Sequence, residues 1–405
     1  MKDDIAWQWQ VSCAWRGVSG PGIFRTAAQG RLVIVDVHAH IFEEWSGACG
    51  LPSRAVHWRY IQKNLCRPAA KVFRRRDGAP SSAAHLFRAG TNNWDGLRDD
   101  IEFRVGPYGR IEFTIEDEDH YIQYMPVAMA QIKSTPEFMI TQMNATGVDH
   151  CILQAGFTYG YMNDYNALAQ SRYPGRFTGL FHVDEPRADH EHWLAEARRA
   201  IEKLSLKGLY YQLEHFSRYD FDVWFDDRRF DDFWSLIEES KLPVVFEITA
   251  IPHYDRASCI DVFRRLGEML VRHPDLTWVI GTAPPVQFFA VDGRWQFPAE
   301  VERVYRHDNT LLEICFPITW GGVWDYPFPE AQALLRDLKN QLGAEKLVWG
   351  SDMPNVERFC TYKQSLDYVR AHCRFLSARE LDQVLGRNLQ RVFGIRPPTA
   401  MSRAS

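Results

Sequence analysis

Two histidines one residue apart, His38 and His40, close the apolar run "VIVDVHAHIF" at residues 33–42. In a strand, residues i and i+2 share a face, so both imidazoles point the same way where a core element ends. Other apolar runs also finish on groups that bind metals or move protons. "RFTGLFHV" (176–183) holds His182, with Asp184 just beyond, and "KGLYYQL" (207–213) leads into Glu214 and His215. "LPVVFEI" (242–248) carries Glu247, and "KLVWGSD" (346–352) closes on Asp352. Imidazoles and carboxylates that converge from different strands are what a divalent metal needs. His182 alone reads as a hydrogen-bonded core residue. His38, His40 and Asp352 make the specific set.

The elements that must position these groups repeat along the chain. Eight short apolar runs occur at 31–37, 148–154, 176–183, 207–213, 242–248, 276–281, 309–316 and 346–352. Amphipathic stretches such as "DHEHWLAEARRAIEKL" (189–204) and "RRFDDFWSLIEES" (228–240) separate them. Near-continuous apolar strands alternating with helices signal a parallel sheet covered by helices, and eight units point to an α/β protein with a (β/α)8 TIM barrel. Catalytic groups of that fold sit at the C-terminal ends of the strands, which is why the run ends matter. The barrel is expected over 31–395, after an N-terminal extension (1–30) and before a C-terminal tail (396–405). Residues 43–130 are too long for one helix and loop and predict an inserted subdomain after strand one, a lid or an oligomer contact. The charge run "RRRDG" inside it reads as a solvated face.

Composition narrows the function classes. With 46% hydrophobic and 24% charged residues the 405-residue chain is globular, and a net charge of −5 gives no reason to expect nucleic acid or an anionic membrane as partner. None of the eight cysteines forms a C-x-x-C pair, so reduced thiols are expected. The N-terminus "MKDDIAWQWQ" lacks a secretory h-region, and no uninterrupted apolar window is long enough to span a membrane. A cytoplasmic location follows as an expectation.

The motifs carry a resemblance. "VDVHAHI" and "LVWGSDMP" resemble the first- and eighth-strand signatures of the amidohydrolase superfamily, in the branch of aminocarboxymuconate semialdehyde decarboxylase and the dihydroxybenzoate decarboxylases. "MNATGVDHCILQ", "YPGRFTGLFHVDEPRAD", "LKGLYYQ", "HPDLTWVIG" and "LGRNLQRVFGI" continue the likeness in order. The resemblance implies a metal-bearing barrel and maps His38, His40 and Asp352 onto the family's metal ligands. Two positions depart from it. Strand five closes on Glu247 and strand six on Thr282, where the family usually has histidines; His215 or His253 could replace the strand-six histidine.

A set of His38, His40, Glu247 and Asp352 suits Zn, Fe or Mn, and Glu247 could bridge a second metal completed by Glu214, His215 or His253. The first expectation is therefore a metal-dependent decarboxylase (carboxy-lyase) or hydrolase for a small carboxylic acid. Asp352, Glu247 and His215 are its candidate catalytic groups, and Trp45, Gln287 and Arg358 its candidate substrate contacts, the Arg as carboxylate clamp. The second is a non-haem iron monooxygenase, or a subunit of one, since 2-aminoisobutyrate hydroxylase is similar in pattern. The third is a non-catalytic partner subunit. A homo- or hetero-oligomer with a similar barrel is expected.

Overall fold

The computed structural model describes residues 32–65, 70–90, 96, 98, 100–219, 222–248, 255–282 and 284–396. The N-terminal extension, His253 and residues 397–405 lie outside them. Eight parallel strands form the frame: β1 (Val35–His40), β2 (His150–Gln154), β3 (Phe177–Gly179), β4 (Leu209–Gln212), β5 (Val244–Glu247), β6 (Trp278–Gly281), β7 (Thr310–Ile314) and β8 (Leu347–Trp349). They pair as one arc, β1-β2-β3, and a second, β8-β7-β6-β5-β4. Two parallel bridges join the arcs into a ring. Ala39 meets Met353 beyond β8, and Phe181 beyond β3 meets Leu209 of β4. Asp352 N–H donates to the His38 carbonyl at 2.9 Å across the first junction. The molecule is a TIM barrel.

Every residue of these strands is buried except Gln212, which is half-buried. Both faces are covered, which is why the strands read as solid apolar runs. Val35, Ile152, Tyr210, Val245, Val279, Leu311 and Val348 pack into one cluster, one from each of seven strands. Helices lie between successive strands. Arg256–Arg272, for example, buries Cys259, Val262, Phe263, Leu266 and Leu270 on one stripe, and Asp255 starts it by accepting the Ser258 N–H.

Residues 43–130 interrupt this rhythm with a helix, Arg54–Leu65, and an antiparallel sheet. Its central strands, Arg110–Ile115 and Glu118–Gln123, turn through Glu116 and Asp117, both at positive φ. The insertion's apolar residues, among them Trp45, Ile61, Phe113 and Met125, share a core with Ala155, Tyr159 and Met162 from the segment after β2. The insertion therefore sits on the C-terminal end of the barrel. Its Arg75 and Arg76 pair with Asp119 and Glu118 at 3.0 Å each, on an exposed face.

Candidate metal centre

The mouth of the barrel collects the ends of β1, β5, β7 and the segment after β8. The pairing of β1 with β2 shifts register between Asp36 and Ala39, and such a bulge re-aims side chains. His38 lies within it and His40 just after it. Their Nε2 atoms stand 3.1 Å apart, and Asp352 Oδ1 lies 3.5 Å from the first and 3.1 Å from the second. Atoms bound tetrahedrally to one zinc at ~2.0–2.1 Å stand ~3.3 Å apart. The three donor atoms thus outline one face of a metal's coordination shell, and the site fits a divalent ion. Asp352 holds a left-handed backbone, φ 61°, a conformation that Asp tolerates better than bulkier residues. Asn355 Nδ2 donates to its Oδ1 at 2.7 Å.

The surroundings bias each group. Asp36, under the site, accepts hydrogen bonds from Ser351 N–H, the Ser351 hydroxyl and Tyr362 OH. Burial still pushes its carboxyl up to about 6. Burial alone would depress His38, but the carboxylates of Glu313 and Asp352 outweigh it and raise the imidazole to about 10. Asp352 is held below the usual range, because His38 and His40 oppose the effect of its burial. Glu247 is raised by burial, with Asp352 and Glu313 adding to the effect and His38 and Tyr210 opposing it.

His38, His40 and Asp352 come together as a group. Glu247 is not part of that group. It is buried beside it, within electrostatic reach of His38 and Asp352, and accepts a short hydrogen bond from Tyr210 OH. His215 is also outside the group. After Gln212 the chain enters a 3-10 turn, Leu213–Tyr219, which carries His215 off the strand line. Its Nδ1 bonds the buried Glu185, and its ring lies 5.4 Å from Phe157. His182 accepts the Met162 N–H at 3.3 Å, in keeping with a core role. Thr282 closes β6 at φ 58°.

The three expected substrate contacts separate. Trp45 is 0% exposed and packs between Phe42, His57 and Tyr124, so it is core between insertion and barrel. Gln287 sits exposed on the short helix Val286–Phe289. Arg358 is half-buried on the turn Asn355–Arg358 just after Asp352, with its guanidinium 5.8 Å from the Tyr124 ring. Aromatic contacts run from the site toward it: His40 stacks on Tyr159 at 4.3 Å, Tyr159 lies 6.0 Å from Trp45, and Trp45 stacks on Tyr124.

Sequence reasoning missed Glu313. It is wholly buried on β7, and its Oε1 takes the His38 Nδ1 hydrogen bond at 2.8 Å while its Oε2 accepts from Thr282 N–H at 2.8 Å. The signal was a charge inside "TLLEI", a strand otherwise apolar enough to be buried on both faces. Cys315 stands near His38 and Glu313, and burial raises its thiol well above its ordinary range in the metal-free protein. The described cysteines are all free and buried. Among the described residues, no helix is long and apolar enough to cross a membrane.

The profile of the family described as Amidohydrolase matches residues 35–395. No curated protein sequence matches the chain. Among solved structures, a putative 2-pyrone-4,6-dicarboxylic acid hydrolase from Pseudomonas putida is 16% identical, covers 91% of this chain and 100% of its own, and has a TM-score of 0.52. 4-Oxalomesaconate hydratase from Rhodopseudomonas palustris is 15% identical over 89% of this chain and 96% of its own, with a TM-score of 0.51. A TIM-barrel protein from Bordetella bronchiseptica is 14% identical over 90% and 99%, with a TM-score of 0.53. These likenesses show the fold.

Proposed function

This chain belongs to the amidohydrolase family, and on that premise we propose that it is a metal-dependent carboxy-lyase or hydrolase for a small carboxylic acid. Members of this superfamily bind divalent metals. The observation that carries the reading is the triangle of His38 Nε2, His40 Nε2 and Asp352 Oδ1, with edges of 3.1–3.5 Å, at the C-terminal end of the strands. A divalent ion held there supplies Lewis acidity. The other duties fall to the chain. Asp352 couples the ligand position to proton transfer, and its Asn355 hydrogen bond keeps Oδ1 aimed at the histidines. Glu247, raised by burial, holds or releases a proton beside the site, and Tyr210 orients it. Arg358, at the rim of the same segment, pairs with the substrate carboxylate. The insertion covers the mouth and excludes water.

Metal analysis with turnover of a panel of small carboxylic acids tests this. Zinc or another single metal with release of CO2 or a hydrolysed product is expected; a metal-loaded protein inert to every acid on the panel counts against it. One observation favours a second reading, an iron-dependent oxygenase. Asp352 and Glu247 give two carboxylates with two histidines, and no imidazole closes strand six, where Thr282 stands. Iron as the bound metal with O2 consumption would select it.

A further inference from the structure

We infer that Glu313 positions His38 for metal binding, and that the tip of strand six serves the site through a backbone amide, not a side chain. The inference rests on the metal-centre reading above and deepens it. Glu313 Oε1 bonds Nδ1 of His38, on the edge of the ring away from Nε2, and Nε2 is the atom facing His40 and Asp352. A histidine that gives its Nδ1–H to a carboxylate presents a bare Nε2 to a metal and is fixed in rotation about its ring axis. Glu313 is held in turn. Its Oε2 accepts the Thr282 N–H at 2.8 Å, and Thr282 holds a left-handed φ of 58°. The carboxylate also fills the space beside Gly350, where an added Cβ would stand 2.0 Å from Oε1. Three strands thus converge on one side chain: β7 supplies it, β6 anchors it and β1 carries the ligand that it aims. Both partners of Glu313 are N–H donors, so only a group with two acceptor oxygens satisfies them together. A glutamine there must set its NH2 against one of them.

The test uses the full chain with zinc as probe and a competing chromophoric chelator. Glu313→Gln is expected to weaken zinc binding ~10–100-fold, with the far-UV CD of the metal-free protein retained. Thr282→Gly, which keeps the amide and suits the positive φ, is expected to leave affinity unchanged. Nitrogen–proton correlation spectra of the zinc-loaded wild type, labelled at histidine, are expected to show His38 with its Nδ1 proton retained and Nε2 bound to metal. This measurement stands even where Glu313→Gln does not fold. A folded Glu313→Gln with wild-type affinity overturns the inference, as does zinc on Nδ1 of His38 or weakened binding in Thr282→Gly. Wild-type protein that takes up no zinc overturns the metal-centre reading and this inference with it.

Discussion

Tyr210 on β4 donates its hydroxyl to the carboxylate of Glu247 on β5, the adjacent strand, beside the two histidines. The phenol is itself pushed far up by burial, with Glu247 adding to the effect, so the proton stays on oxygen and the carboxylate is held as acceptor. Glu247 lies beside the three donors, within electrostatic reach of His38 and Asp352. Glu247→Gln keeps the shape but loses the charge, and it is expected to lower metal affinity ~10-fold or more. Metal content after dialysis against a chelator checks this. Undiminished affinity would assign Glu247 to proton transfer alone.

The raised imidazole of His38 makes metal uptake pH-dependent. Its folded value, about 10, lies above the ordinary 6.5, so its charged form stabilises the metal-free fold fully below that ordinary value. The contribution is lost as pH rises through about 10. At neutral pH a metal must therefore displace a proton. Zinc binding between pH 7 and 9 is expected to release protons, and apparent affinity to rise up to ~10-fold per pH unit. Calorimetry in two buffers of different ionisation enthalpy reads the proton count; identical heats in both would contradict it.

Arg358 follows Asp352 by six positions and lies over the Tyr124 ring at the rim. A charge-assisted hydrogen bond is worth ~1.5–3 kcal/mol, so Arg358→Ala is expected to raise KM for a carboxylate substrate ~10–150-fold with kcat little changed. Steady-state kinetics decide between this and a structural role, which would lower apparent kcat through loss of folded protein and leave KM unchanged.

Gly350 leaves room for Glu313. Gly350→Ala forces the carboxylate aside and is expected to destabilise the metal-free protein by ~1–3 kcal/mol, as overpacking does. Denaturant unfolding measures it. A midpoint equal to that of wild type would mean that the carboxylate moves without cost.

Much of the frame was legible in the chain. The eight apolar runs all became barrel strands, because a parallel strand buried on both faces must be mostly apolar. Run lengths misled at their ends: "KGLYYQL" stops as strand at Gln212, and the turn beyond swings His215 toward Glu185. Trp45 shows the other limit. An aromatic just past a strand end reads as a pocket wall, but the insertion folds over it and makes it core.

The sequence by itself determined the scaffold and brought out three candidate donors. Period-two geometry puts His38 and His40 on one face, and a strand-end Asp completes the set, so local spacing carries the information. Tertiary structure alone decided what surrounds them. His38 and Glu313 are 275 positions apart, and Glu313 reads in the chain as one charge inside an apolar run. Ring closure brings β7 within reach of β1 and turns that charge into the partner of a ligand. Spacing along a strand is local, whereas the partners of a buried charge are set by which strands the barrel makes neighbours.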